Sequence, residues 1–121
     1  DALTATMTQS ELTVEEKLMA DAARYVEENI SRPDLSVEEM ARQMGMSRAH
    51  LYKCLMVACG KTPIEFIRAI RLKQAAELLK DSRYNVSEVA YQVGFNNPRY
   101  FAKYFAEAYG VLPSAYQEKF R

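Results

Sequence analysis

An all-α fold of two helix-turn-helix subdomains joined by a long connector helix is what this chain of 121 residues predicts. Three observations carry the prediction. First, Ser36-Val37-Glu38-Glu39-Met40-Ala41, running through Met44-Gly45-Met46-Ser47, recurs at an offset of 49 as Asn85-Val86-Ser87-Glu88-Val89-Ala90, running through Val93-Gly94-Phe95-Asn96. A further echo follows at an offset of 50, with Gly60-Lys61-Thr62-Pro63 against Gly110-Val111-Leu112-Pro113 and Phe66 against Tyr116. Second, each copy carries helix-start signals and a Gly where the chain must turn, the pattern of a supersecondary unit used twice. Third, no segment alternates with period 2 between turn signals, so no strand is predicted.

Residues 1–12 lack periodicity and are rich in Thr, Ser and Gln, which reads as a mobile linker. Residues 13–121 form the folded domain. Thr13-Val14-Glu15-Glu16 is a capping box opening a helix of about 15 residues, with Leu18, Ala22, Tyr25, Val26 and Ile30 on its apolar side. Ser31-Arg32-Pro33-Asp34 ends it, because Pro33 lacks the N–H and disfavours helical backbone at Arg32. Ser36 with Glu39 reads as a second capping box, and Gly45 supplies the left-handed residue that ends the short helix. Met46 plugs the core and Ser47 caps the next helix, so the first helix-turn-helix spans about 36–58. Gly60 stops it.

Thr62-Pro63-Ile64-Glu65 combines a cap, Pro at the first helical position and Glu two further on. It opens the connector, about 63–80, which has Ile64, Ile67, Ile70, Ala75, Leu78 and Leu79 for burial and no interior Gly or Pro. Asn85 with Glu88 begins the second helix-turn-helix, about 85–108, in which Gly94 turns, Phe95 plugs and Asn97-Pro98 starts the last long helix. Gly110 and Pro113 open a short closing helix. Each subdomain thus reads as a homeodomain-like three-helix unit.

Composition narrows the function. No apolar run approaches the roughly 18–20 residues of a membrane span. The opening residues Asp1 to Thr6 have neither a basic nor an apolar stretch of signal-peptide type, and the start at Asp1 rather than Met suggests a piece of something longer. Cys54 and Cys59 lack metal-ligand spacing, and one His (His50) cannot complete a site, so no metal and no cofactor are expected. As buried free thiols, they indicate a reducing compartment and hence the cytoplasm. No nucleophile–base pair or phosphate loop is present, so an enzyme is not expected. The net charge is zero, yet residues 1–46 hold ten acids against four bases and residues 47–121 hold twelve bases against six acids. The basic half begins at the first candidate reading helix, and attraction to phosphate follows the local field rather than the sum.

A helix-turn-helix sets its second helix in the major groove of DNA. In the helix 48–58, Leu51, Leu55 and Ala58 form the inward stripe, leaving Arg48, Ala49, Tyr52, Lys53 and Met56 outside. In 98–108, Phe101, Phe105 and Ala108 point in, leaving Arg99, Ala102, Lys103 and Ala106 outside and Tyr100 partly so. Arg and Lys bond guanine O6/N7, Ala meets the thymine methyl, and Tyr52 reaches phosphate or sugar. Ser47 and Asn97, at helix N-termini, and Arg48 are expected on the DNA backbone, joined by Arg68, Arg71 and Lys73 from the connector. The lone His50 reads as a surface residue and Met40, Met44 and Met46 as core filler.

From about Ile30 to Arg121 the chain resembles the DNA-binding domain of the AraC/XylS family of bacterial transcription regulators. The resemblance rests on Ala41-x-x-x-Gly45-Met46-Ser47, on Ile67-Arg68-x-x-Arg71-Leu72-x-x-Ala75-x-x-Leu78-Leu79, and on Val89-Ala90-Tyr91-x-Val93-Gly94-Phe95-Asn96-Asn97. Tyr100-Phe101-x-x-x-Phe105 and Gly110-x-x-Pro113-x-x-Tyr116 complete it. The acidic helix Thr13–Ile30 ahead of Ser31-Arg32-Pro33-Asp34-Leu35-Ser36 resembles the C-terminal output domain of hybrid two-component regulators of gut Bacteroidetes. The resemblance implies sequence-specific binding to double-stranded promoter or operator DNA, with Ala49, Tyr52 and Lys53 facing bases from the first unit and Arg99, Tyr100 and Lys103 from the second. It implies RNA polymerase as a further contact, a homodimer in the full-length protein and a monomer for the isolated domain. The full-length protein is compatible with membrane tethering through other regions.

Two departures matter. Where that family commonly has Phe-Lys-Lys late in each reading helix, this chain has Leu55-Met56-Val57 and Phe105-Ala106-Glu107. Each missing phosphate contact lowers the salt dependence of binding by about 0.9 in log–log slope. Modest affinity, raised by dimers or tandem sites, is therefore expected. The alternative reading is a helical protein-interaction module with weakened or lost DNA binding.

Overall fold

The fold is built from side-chain caps and left-handed glycines, which delimit seven helices in the computed structural model, whose described residues are 13–121. The stretch 1–12, read above as a linker, lies outside the described residues. Helix α1, Val14–Glu28, opens on the expected reciprocal box: Thr13 N–H donates to Glu16 and Glu16 N–H donates to Thr13 Oγ1, both at 3.1 Å. It ends at Asn29, ahead of Pro33, where the Asn29 amide donates to the Tyr25 carbonyl at 2.8 Å. Pro33 therefore prevents continuation but does not make the end.

Helix α2, Val37–Gln43, corrects one expectation. Ser36 accepts the Glu39 N–H at 3.1 Å, but the return half of the box is not made. The Glu39 carboxylate instead takes Arg32 Nη1 at 2.8 Å, Arg32 Nη2 at 3.0 Å and the Tyr25 hydroxyl at 2.7 Å. A charge-assisted, forked arginine bond outcompetes a lone backbone N–H. It also ties α1 to α2.

Both turns close alike. Gly45 (φ 71°) lets Met46 N–H donate to the Ala41 carbonyl at 2.9 Å, and Gly94 (φ 91°) lets Phe95 N–H donate to Ala90 at 3.0 Å. The copies then part by one residue. Helix α3, Arg48–Cys59, is capped by Ser47, whereas the matching helix, Pro98–Tyr109, is capped by Asn97. Asn96 is the insertion, so the offset changes from 49 to 50 inside the turn. Leu51 consequently matches Phe101, both fully buried, and Tyr100 takes the position of exposed His50.

The connector α4, Pro63–Leu79, packs two cores. Phe66 and Ile67 join Ala22, Val26, Met40, Leu51 and Leu55 in the first unit. Leu72, Ala75, Ala76 and Leu79 join Val89, Val93, Phe101 and Phe105 in the second, built on α5, Val86–Gln92, and α6, Pro98–Tyr109. At about 100° per residue these two sets sit on opposite sides of the helix. That is why one apolar stripe misjudges it: Ile64 is 55% exposed, while Phe66, Leu72 and Ala76 are buried. Helix α7, Pro113–Glu118, closes the second unit, with Gln117 donating to the Tyr84 carbonyl at 2.7 Å and Tyr116 against Phe105.

The two units meet at Arg71, which is 9% exposed. Its Nη1 donates to the Gly94 carbonyl and its Nη2 to the Arg32 carbonyl, each at 2.7 Å, while Nε has no partner. Burial lowers its pKa, yet a guanidinium stays charged in any usual buffer. Gly94 sits so close that an added Cβ would lie 2.4 Å from the Ile30 carbonyl and 2.8 Å from the Arg71 guanidinium carbon. Ile30 itself packs against both cores.

Gly94→Ala should therefore cost about 3 kcal/mol or more, combining left-handed backbone with overpacking. Gly45→Ala, whose Cβ would meet nothing within 4 Å, should cost only the backbone term of about 1–2 kcal/mol. Denaturant unfolding of the pair measures the difference. The Arg32 bonds, then the Tyr25 bond, hold the Glu39 carboxyl below its usual pKa. Its stabilisation is thus complete above the unfolded carboxylate value of about 4.3 and is lost as pH falls through the lower folded value. Melting curves from pH 7 to 3 should show Glu39→Gln with a lower Tm at neutral pH and a shallower acid decline than the parent.

Candidate nucleic-acid interface

Two exposed helix faces, α3 and α6, stand on either side of a cleft of about 460 Å³. The cleft runs from the cap Ser36 and Glu38 of α2, past Arg48, over Ile64, Ile67, Arg68 and Arg71 of the connector, to Phe95, Asn96, Tyr100 and Tyr104. Leu51 and Leu55 anchor α3 in the first core, and Phe101 and Phe105 anchor α6 in the second. Anchoring one side of a helix turns its other side outward. Ala49, Tyr52 and Lys53 are accordingly exposed, as are Arg99, Tyr100 and Lys103. Ala58 is only half-buried and Ala108 is exposed, so the inward stripe of each helix stops one turn earlier than its periodicity suggests.

The N-termini differ in donor capacity. Ser47 accepts the His50 N–H at 3.1 Å, leaving the Arg48 and Ala49 amides without intrahelical partners. In α6, Pro98 has no N–H and Asn97 accepts the Arg99 N–H at 2.9 Å, so fewer amides point outward. A phosphate finds more free donors at α3 than at α6.

Four of the expected backbone contacts have other partners or positions. Arg71 is corrected outright. Its two Nη groups are spent on carbonyls inside the protein, and a buried guanidinium cannot reach a phosphate. Arg48 is exposed but ion-paired through Nη1 to Glu38, a carboxylate standing on the same cleft. The Arg68 guanidinium lies 4.0 Å from the centre of the Tyr104 ring, with the Lys103 ammonium 5.6 Å from it. Stacking leaves the edge of Arg68 able to donate. Lys73 is exposed, but lies about 200° around the connector from Arg71 and so away from the cleft.

The thiols are half-buried, not fully buried. Cys54 Sγ lies 3.5 Å from His50 Nε2, and Cys59 Sγ donates to the Leu55 carbonyl at 3.3 Å. Among the described residues no helix is long and apolar enough to cross a membrane. Sequence reasoning missed Glu38. Its signal was present, a carboxylate ten residues before Arg48 at the start of the supporting helix, but their meeting depends on the turn.

Comparison with known proteins decides the family. A helix-turn-helix domain family matches residues 40–119, which is α2 through α7. The chain belongs to the AraC-type helix-turn-helix family. Its shared activity is DNA binding in transcription regulation. The AraC-type chain is 38% identical over 117 residues to histidine kinase P4 of Formosa agariphila, a match covering 94% of this chain and 8% of that protein. It is similar in structure to the C-terminal domain of the response regulator AraT from Geobacillus stearothermophilus (28% identical, TM-score 0.78, covering 88% of each chain). It is also similar to the DNA-binding domain of AdpA, solved in complex with a target DNA, at 29% identity and a TM-score of 0.77, covering 85% of this chain and 92% of that one. The chain thus spans a small part of that kinase and less than two thirds of the length of the other curated relatives it matches.

For an AraC-type domain the Glu38–Arg48 pair should restrain binding, since it places a negative charge near phosphate and occupies a cation. Glu38→Gln is expected to tighten duplex binding severalfold at low salt and to steepen the salt slope by about 0.9, the effect of one more neutralised phosphate. Fluorescence anisotropy across a salt series reads both.

Proposed function

We propose that this chain is the sequence-specific output domain of a longer, signal-responsive regulator of two-component type. In this reading α3 and α6 enter successive major-groove segments on one face of double-stranded DNA. The observation that carries it is the pair of exposed basic faces held on a connector packed on both sides. Ala49, Tyr52 and Lys53 meet bases from α3, and Arg99, Tyr100 and Lys103 from α6. Ser47, Asn97 and Arg68 hold the DNA backbone, and Arg48 joins them only when it leaves Glu38. Likeness to a histidine kinase along 94% of this chain supports the two-component assignment. The rest of such a protein would supply the signal and the dimer, and contact with RNA polymerase would follow from docking beside a promoter. The domain works in the cytoplasm, whether or not other regions anchor the protein in a membrane.

A specific observation favours a second reading. Met56 is 41% and Val57 is 71% exposed at the end of α3, where a phosphate contact would want a cation. On that reading the domain docks a protein and not DNA. Selection from a random duplex library followed by anisotropy titration separates the two. Two half-elements about 10 base pairs apart, bound with a salt slope of about −4 for some four or five phosphates, are expected. Lys53→Ala and Arg99→Ala should each relax one base position. Absence of salt-dependent binding to any duplex at low ionic strength would leave only the protein-interaction reading.

A further inference from the structure

The register set by the extra turn residue pairs the two reading faces position by position. With Leu51 matched to Phe101 and Leu55 to Phe105, Ala49 stands where Arg99 stands, Tyr52 where Ala102 stands, and Lys53 where Lys103 stands. Met56 then matches Ala106, and Val57 matches Glu107. The lysine is shared; almost nothing else is.

Residues near the start of the inserted helix meet base edges, so the pair 49/99 is the telling one. An alanine methyl has no hydrogen-bonding group and suits the thymine 5-methyl, whereas an arginine fork suits guanine O6 and N7. The surroundings widen the contrast. Arg48, the one arginine on α3, is committed to Glu38. Among the described residues no carboxylate pairs with Arg99. The outer face of α3 continues as Tyr52, Met56 and Val57, all substantially exposed, where α6 has Ala102, Ala106 and Glu107, so beyond Tyr100 the α3 face is the more apolar.

We infer that the operator is chemically asymmetric: at the equivalent base step, the half-site under α3 is read through a thymine methyl by Ala49 and the half-site under α6 through guanine by Arg99. The inference rests on the DNA-reading role proposed above and specifies its target. The two faces are therefore not interchangeable. A duplex with two copies of either half-site is a poor substitute for one of each.

Single-atom changes in the DNA test this. Deoxyuridine removes only the thymine methyl, and 7-deazaguanine removes only the N7 acceptor. With a duplex selected by the chain, deoxyuridine should weaken binding roughly threefold or more in the α3 half. The 7-deazaguanine should weaken it about tenfold at one position of the α6 half. Arg99→Ala should abolish that N7 sensitivity, which identifies the α6 half. Ala49→Arg should shift the preferred base at the equivalent step of the other half from thymine to guanine and create N7 sensitivity there. Residues 49 and 99 are both exposed, and an unchanged thermal melt confirms that each variant folds. Guanine at the equivalent step of both halves, or an N7 sensitivity that survives Arg99→Ala, overturns the inference while leaving DNA binding intact. Failure to select any duplex overturns the DNA-reading role itself, and this inference with it.

Discussion

A buried arginine holds the two halves of this protein in one relation. Arg71 reaches from the connector to the Gly94 carbonyl in the second unit and to the Arg32 carbonyl in the loop behind α1. Burying a guanidinium is expensive unless its protons find acceptors, and carbonyls at both ends of the fork supply them without a second buried charge. The junction is narrow because Gly94 leaves no room for a side chain beside Ile30 and Arg71. Ile30, touching both cores, completes it with an apolar contact. Each unit closes its core on one side of the connector, and this contact ties the units to each other directly.

Much of the architecture was legible because its signals are local. Thr13 with Glu16, Thr62 with Glu65 and Asn85 with Glu88 make the reciprocal caps that their spacing suggests. Both turn glycines adopt the left-handed backbone expected of them. The failures are long-range. Glu39 leaves its cap for Arg32, seven residues away in sequence and brought near by the loop. Arg71 shares a helical stripe with Ile67 and Ala75, a hint of burial, but its charge suggested phosphate instead. Only the tertiary positions of the Gly94 and Arg32 carbonyls decide between the two.

The interface divides in the same way. Exposure of Ala49, Lys53, Arg99 and Lys103 follows from the period of their own helices, with Leu51 and Phe101 as anchors. What their neighbours do to them does not. Glu38 engages Arg48 and Tyr104 engages Arg68 across different elements. Sequence spacing places side chains on faces, whereas the partners that modulate their charge arrive from elsewhere. The matching of the copies depended on a similar subtlety, since one inserted residue, Asn96, moves Tyr100 from a core position to a flank.

The doubly packed connector has a mechanical consequence. Because its opposite sides are fastened to different cores, it can neither roll about its axis nor slide without breaking one of them. Each base pair of DNA adds about 3.4 Å of length and about 34° of twist. If α3 and α6 read DNA as proposed, such a protein acts as a caliper for that helix: it gauges the phase between two stretches of sequence as well as their content, and a single base pair added between them turns the second out of reach.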